Sequence, residues 1–317
     1  MLKYLVIQLC ESTPSFCHYP ESSKEPKLIS IEDLKGGILF AMKENLNVQF
    51  VYPDYELSEE YKAVIDEIDH VDIVSSDNKD SELLENAEIV IINSWNELGH
   101  NLRKDKSYIL RTDKKNLFEN YQRLKDVLPK VERLNIVLTD IPEFKEEDFE
   151  RYKEILKEIG DFVAKEYIEE RTPQTNILTD RLVLTAMNNC NAGDEVVTLA
   201  PDGKFYICPA FYLQGSKAEG DLKDGLQIRN PQLFKLEYAP ICRKCDAYQC
   251  KRCVWLNELQ TLEINTPGQE QCVISHLERN ESRKILNEIR KHGVFMPEIE
   301  INELDYLDPF EIVNKWK

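Results

Sequence analysis

No segment of the 317-residue chain approaches the roughly 20 consecutive apolar residues that a membrane span requires. The short stretch Leu5–Leu9 follows Lys3 but has neither a long apolar core nor a small-residue cleavage site, so it reads as a first strand rather than a secretory signal. A surplus of positive charge is lacking too. The 40 basic side chains face 58 acidic ones, and the resulting formal charge of −18 repels phosphate, which excludes nucleic acid as the main partner. Glycine is scarce at 11 residues, and neither a phosphate-cradling glycine loop nor a Gly-x-Ser-x-Gly elbow is present. Nucleotide hydrolysis and serine-esterase chemistry therefore receive no support. The five histidines, His18, His70, His100, His276 and His292, form no His-x3-His pair, and surface or capping roles are expected of them. Only His18 stands out, because it adjoins Cys17. What is there is ordinary for a soluble globular chain, with 42% hydrophobic and 31% charged residues, enough for one large domain or two smaller ones. A cytoplasmic location is expected.

The first half alternates strand-like and helix-like segments. Strands are expected at 2–9, 47–52, 71–74, 89–92, 108–110 and 134–138. Helices are expected after Ser30, with Leu34, Ile38, Ala41 and Met42 on one face, at 59–68, near Leu83 and at 117–128. Repeated βα units with short connections imply a parallel sheet or an open barrel, because parallel strands need crossover helices. The longest helix is expected at 147–170, its apolar face formed by Phe149, Tyr152, Ile155, Leu156, Ile159, Phe162 and Val163, wide enough to pack on the sheet. The charges of 145–158 read as its solvated face. After Pro173 the pattern changes to short strands and turns such as Pro201-Asp202-Gly203, which places a boundary between 170 and 186. A helix at 274–291 and an acidic tail close the chain.

Nine cysteines are present, and in a reducing compartment they suggest metal ligation before disulfides. Five fall in Cys242-x2-Cys245-x4-Cys250-x2-Cys253 plus Cys272, a 31-residue window that by length alone would hold about one. A Cys-x2-Cys hook turns the chain sharply enough for both sulfurs to reach one centre. Upstream, Cys190-x12-Gly203-x4-Cys208 spans a hairpin that can carry one cysteine on each side. Seven cysteines are enough for two adjacent centres. Four hooked thiolates suit zinc as well as iron–sulfur, so both metals stay open, with iron–sulfur the better match to the full cysteine order.

That order resembles the SPASM domain, the auxiliary iron–sulfur region of radical SAM peptide-modifying enzymes, although the spacing is one residue shorter before each of the last two hooks. The resemblance implies one [4Fe-4S] cluster on Cys242, Cys245, Cys250 and Cys272. A second would sit on Cys190, Cys208 and Cys253, with a fourth position open to another group such as a substrate thiol. Radical SAM enzymes also carry Cys-x3-Cys-x2-Cys after the first strand. Here the outer positions are Cys10 and Cys17, with Phe16 before the latter, but Pro14 holds the middle one and offers no ligand. The Gly-Gly-Glu segment that would receive the methionine amino group is replaced by Val51-Tyr52-Pro53-Asp54-Tyr55-Glu56. S-adenosylmethionine is accordingly not expected as a cofactor, and Cys10 and Cys17 read as a degenerate cofactor site.

The segments 245–257 (CDAYQCKRCVWLN) and 265–272 (NTPGQEQC) are similar to those of the CXXX repeat peptide maturase family, radical-SAM-like proteins associated with ribosomally made peptides carrying repeated cysteines. The resemblance implies a degenerate partial (β/α) barrel over 1–178, a SPASM-like metal domain over 179–273, and a C-terminal helix with an acidic tail over 274–317. It implies one or two 4Fe-4S clusters, with zinc the alternative. Its expected partners are a cysteine-rich precursor peptide and a separate, intact radical SAM enzyme, with no nucleic acid and no membrane. Catalytic residues are not assigned. Trp95, Trp255 and Trp316 are candidates for peptide contact, Trp255 equally for shielding a cluster. Two other functions stay open: a non-catalytic binding scaffold stabilised by zinc or iron–sulfur, and an active radical SAM enzyme with atypical cluster ligation.

Overall fold

A computed structural model describes residues 1–22, 25–99, 102–187 and 190–295. His100, Trp316 and the acidic tail lie outside these residues. The strands are β1 (Tyr4–Gln8), β2 (Asn47–Val51), β3 (His70–Ser75), β4 (Ile89–Ile92), β5 (Ser107–Thr112), β6 (Arg133–Leu138), β7 (Gln174–Thr175), β8 (Val196–Leu199) and β9 (Phe205–Tyr206). The helices are α1 (Ile31–Glu44), α2 (Glu59–Ile65), α3 (Ser81–Asn86), α4 (Lys114–Asn120), α5 (Leu124–Val127), α6 (Glu146–Ile168), α7 (Asp180–Val183), α8 (Pro209–Leu213), α9 (Val254–Thr261) and α10 (Gln269–Lys291). They form two compact units, Met1–Ile92 with Cys190–Tyr238 and Asn93–Asn189 with Ala239–Lys317. Each unit thus joins a segment from the repeated βα half to one from the cysteine-rich half. No helix among the described residues is long and apolar enough to cross a membrane.

In the first unit the strand order is β4-β3-β2-β1-β8-β9, parallel apart from the β8–β9 hairpin. β1 lies between β2 and β8, with Tyr4 opposite both Asn47 and Val196. Its residues Leu5, Val6 and Ile7 are buried, as a near-continuous apolar run in a parallel sheet requires. Helix α1 starts at Ser30, whose Oγ accepts the Asp33 N–H at 3.0 Å, and ends at Asn45 in the left-handed region. Leu34, Gly37, Ile38 and Ala41 face inward. Gly37 is required there, since a Cβ would stand 2.4 Å from Leu199 Cδ2. The expected inward position of Met42 is corrected: it is exposed, because the inward stripe turns through Gly37 and Ala41 instead. The β8–β9 turn closes through Gly203, at φ +75°, whose N–H donates to Ala200 O at 3.0 Å.

In the second unit β5 and β6 pair in parallel over six positions and β7 adds a short neighbour to β6. The helix expected at 117–128 is interrupted: α4, α5 and two single 3₁₀ turns, Tyr121–Arg123 and Leu128–Lys130, follow one another. Pro129 supplies the physical reason for the last break, since it has no N–H to donate. The apolar face of α6, expected to cover a sheet, packs on α10. There the Tyr152 hydroxyl donates to Glu278 Oε1 at 2.8 Å, and Gly160 leaves room for the Glu281 carboxylate, which a Cβ would approach to 2.8 Å. Helix α10 begins at Gln269, capped by Gly268 and several residues earlier than the apolar spacing alone suggests, so its first turn contains Cys272.

Candidate functional site

The second unit holds five of the seven cysteines expected to bind metal. Cys242 opens a single 3₁₀ turn, and the Cys245 N–H donates back to Cys242 O at 3.0 Å. The Ala247 N–H then donates to Cys245 Sγ and the Arg252 N–H to Cys250 Sγ, each at 3.4 Å. In both cases an amide two residues on is aimed at the sulfur, the arrangement in which the backbone can support a thiolate. Arg252 reaches it with φ +44°, a conformation unusual for a residue with a Cβ. Cys253 precedes the first turn of α9, and Cys272 is buried in the first turn of α10.

Helix α10 runs against this loop. The Gln249 amide donates to Ser275 O at 2.6 Å, and its Nε2 lies 3.4 Å from Glu278 Oε2. His276 Nε2 lies 3.6 Å from Cys245 Sγ. A surface role for this histidine is thereby corrected: it is 3% exposed, buried because α10 turns it inward one turn after Cys272.

Thiolates are ligands for soft cations, but among the described residues the thiols are neither ionised nor gathered. All nine are free. Burial pushes the Cys242 thiol up to about 12, with the neighbouring Cys250 and Cys245 charges adding to the effect. Burial likewise raises Cys250. Such thiols stay protonated until a cation compensates them, so metal uptake would release protons. Among the described residues, no three His, Cys, Asp or Glu side chains are gathered tightly enough to hold a single ion.

Beside Cys245 stands a buried ionic knot. Asp246, 1% exposed, meets Arg181 Nη2 at 3.3 Å, Arg279 Nη1 at 3.0 Å and the Arg283 guanidinium. Arg181 Nε also donates to the Asp246 carbonyl at 2.9 Å, and its guanidinium lies 5.8 Å from the centre of the Tyr248 ring. This knot ties α7 and α10 to the loop between the two cysteine hooks. Sequence reasoning missed it, since nothing in the spacing of Arg181, Asp246, Arg279 and Arg283 announces a common partner.

The first unit holds Cys190 and Cys208, one on each side of the hairpin. Cys208 caps α8 and is pushed well up by burial, then by the nearby charges of Cys190 and Cys17. Cys17 and Cys208 both act on the buried Tyr19 hydroxyl. Cys17 thus lies within electrostatic reach of Cys208, a proximity that sequence separation concealed. The second cysteine set implied by the resemblance draws Cys190 and Cys208 from this unit and Cys253 from the other.

Cys10 has different surroundings. It is fully buried, with its sulfur 3.3 Å from Ser12 Oγ and 3.4 Å from the Tyr55 hydroxyl. The intervening loop is filled by its own side chains. Gln8 Nε2 donates to Thr13 Oγ1 at 2.8 Å, Ser15 Oγ to Tyr19 O at 2.7 Å, and the Ser15 N–H to Glu21 Oε2 at 2.9 Å. Thr13, Pro14 and Ser15 are all buried. Tyr55, which reaches Cys10, comes from the segment standing where a glycine-rich element would be. Among the tryptophans, Trp95 is buried and donates to Thr112 Oγ1 at 2.9 Å, a structural role that replaces the peptide contact considered for it. Trp255 is half-buried.

Comparison with solved structures aligns 92% of this chain with all of anSMEcpe, solved with bound AdoMet, at a TM-score of 0.60 and 14% identity. The chain shares the anSMEcpe fold. The same protein with bound AdoMet and a Cp18Cys peptide aligns over 92% of this chain and 100% of its own at TM-score 0.59, again at 14% identity. With a Kp18Cys peptide in place of Cp18Cys the TM-score is 0.57 over the same shares. The likeness is one of α/β fold. No family model matches the sequence, and no curated protein matches it significantly.

Proposed function

We propose that the chain is a peptide-maturation protein that binds a cysteine-rich precursor peptide beside a separate radical SAM enzyme, its own S-adenosylmethionine chemistry lost. The observation that carries this reading is the packed loop after β1. Thr13, Pro14 and Ser15 are buried in a hydrogen-bonded plug, and Cys10 is tied to Ser12 and Tyr55 where a third cluster thiol and a glycine-rich strip would be needed. The anSMEcpe fold, seen elsewhere with a peptide bound, supports the peptide part.

Cys190, Cys208, Cys242, Cys245, Cys250, Cys253 and Cys272 are the residues that would hold metal, as one or two 4Fe-4S clusters. A cluster with an iron lacking a protein ligand supplies a Lewis-acidic position for a substrate thiol. The chain's own part is to shield the sulfurs, to aim the Ala247 and Arg252 amides at them, and to keep the loop fixed through Asp246. The domain division at 178 and 273 is part of the same proposal.

Anaerobic reconstitution tests it. Iron and labile sulfide should be retained, the precursor peptide should co-purify, and S-adenosylmethionine should not bind in calorimetry. Reductive cleavage of S-adenosylmethionine would overturn the loss of that chemistry. Stoichiometric zinc without labile sulfide would overturn the iron–sulfur assignment.

A further inference from the structure

Helix α9 buries Val254, Leu256 and Asn257 and turns its other face outward. Trp255, Leu259 and Leu262 stand there at positions i, i+4 and i+7, which share one side of a helix. Trp255 is half-buried, whereas Leu259 is 57% exposed and Leu262 85%. Leu262 carries a second cost. It caps the helix in the left-handed region, at φ +60°, where glycine or asparagine is the usual residue because a Cβ is crowded there. Its neighbours hold that turn. The Leu262 N–H donates to Glu258 O at 3.0 Å, Asn257 Nδ2 to Ile264 O at 2.8 Å, and Thr261 Oγ1 to Thr266 O at 2.8 Å. Closing the turn therefore needs the backbone, Asn257 and Thr261, and glycine would serve at 262 with less strain. A large apolar side chain kept both in water and in a strained backbone position points to a contact outside the chain.

Charge selects the partner. The segment 254–270 holds Glu258, Glu263 and Glu270 and neither lysine nor arginine. Glu258 flanks the ridge within α9, and exposed Glu263 directly follows Leu262. With the whole chain at −18, an acidic partner is repelled, a second copy of this chain included. We propose that Trp255, Leu259 and Leu262 form a docking ridge for a peptide segment in which apolar side chains stand beside lysine or arginine. The apolar groups cover the ridge and the cations face Glu258 and Glu263. The proposal rests on the reading that the chain binds a peptide, and it adds a holding surface that contains no cysteine. Covering the two exposed leucines supplies affinity, while the carboxylates set the sign of the partner's charge and speed its encounter.

The test uses the full chain and a short fluorescent peptide of leucines and lysines, with two twins, one carrying glutamate for lysine and one serine for leucine, read by anisotropy. The wild type should bind the leucine–lysine peptide about tenfold more tightly than either twin. Leu259→Ser and Leu262→Gly leave the charge unchanged, so they separate the ridge from the general attraction of an acidic chain for cations. Each should weaken binding about tenfold. Leu262→Gly should also keep or raise the melting temperature, because it relieves the left-handed strain, an outcome that a leucine retained for packing would not give. Unchanged affinity in both variants, or a wild type that does not distinguish the three peptides, would overturn the proposal. A dimer seen in sedimentation and dispersed by Leu262→Gly would assign the ridge to a second copy and overturn it too. Co-purification of the precursor peptide separates this surface from the maturation reading. If the precursor is not retained while the leucine–lysine peptide binds through the ridge, the maturation reading fails and the surface stands. If the precursor is retained equally by the wild type and both variants, the maturation reading stands and the ridge proposal fails.

Discussion

Asp246→Asn is the most informative single perturbation, because it removes a charge while keeping the side-chain volume. In the folded chain this carboxylate is 1% exposed and faces three guanidiniums, of which Arg181 and Arg279 have side chains 1% and 4% exposed and Arg283 26%. Burial pulls the Arg181 guanidinium below its usual range, Asp246 opposes that pull, and Arg283 and Arg279 reinforce it. Without the carboxylate, the two most buried arginines repel each other with no charge between them. Removing one partner of a buried pair typically costs about 3–5 kcal/mol, since the other is left charged and desolvated. Arg283 adds little to this figure, being a quarter exposed and screened by solvent. The expected loss is therefore about 3–5 kcal/mol, read as a lower urea midpoint at unchanged slope in the metal-free protein. Arg283→Ala should cost on the order of 1 kcal/mol. Combining Asp246→Asn with Arg181→Met should cost less than the two single losses added, because the double variant no longer buries the most costly cation. A loss below about 1 kcal/mol for Asp246→Asn, the scale of an exposed pair, would refute the account of a buried knot holding the cysteine loop.

Other consequences follow from single groups. His70 directs Nδ1 at Ile68 O, 2.6 Å away, and its Nε2 lies 3.3 Å from Asp72 Oδ1, so the imidazolium form faces an acceptor and a carboxylate; the Asp72 carboxylate leads in raising it to about 9. Its stabilisation should be complete below about pH 6.5 and lost as pH rises through about 9, and an NMR titration of Asp72→Asn should show the midpoint falling back toward the ordinary value. Glu278 is raised to about 7, mainly by burial, against the opposing hydrogen bonds of Tyr152 and Gln249. The folded state thus keeps a proton that the unfolded chain releases above about pH 4.3, and stability should decline as pH rises from there through 7; Glu278→Gln should flatten that slope in denaturation curves. Gly203→Ala places a Cβ 2.8 Å from Asp33 Oδ1 at φ +75°, and should lower stability by about 1–3 kcal/mol in thermal melts, whereas no change would mean that the hairpin turn relaxes freely.

The parallel strands were legible because each is a short apolar run bounded by turn residues, and 89–92 is found as a strand at those limits. The helix after Ser30 was legible from its cap, yet Met42 was misplaced because apolar spacing does not count a glycine as an inward position. The five cysteines of 242–272 declared themselves through hooks local in sequence. Their supporting groups did not. His276 looked like one of several scattered histidines, since the sequence start of α10 was drawn too late to place Cys272 on the same helix one turn earlier. Arg181 and Asp246 are 65 residues apart, and only the packing of α7 and α10 on the loop joins them.

The division of the nine cysteines into seven ordered ligands and two leftovers is a division along the chain, and topology recasts it in the first unit. β1 and β8 are parallel neighbours, so their C-terminal ends emerge at the same edge of the sheet. The loop after β1 carries Cys10 and Cys17; the hairpin after β8 leads to Cys208. The loop after β1 and the β8–β9 turn therefore leave the sheet at the same edge; antiparallel β9 runs back before Cys208, and the Tyr212 hydroxyl on α8 then joins the two segments by donating to Glu11 Oε1 at 2.8 Å. Cys10, directly after β1, is held inward against Ser12 and Tyr55, whereas Cys17, beyond the buried turn at Pro14, lies within electrostatic reach of Cys208. Cys10 and Cys17 thus part: one lies in the core, the other within electrostatic reach of Cys208. With Pro14 between them offering no ligand, Cys10 and Cys17 face different surroundings, Cys10 the core and Cys17 the solvent side of the loop after β1.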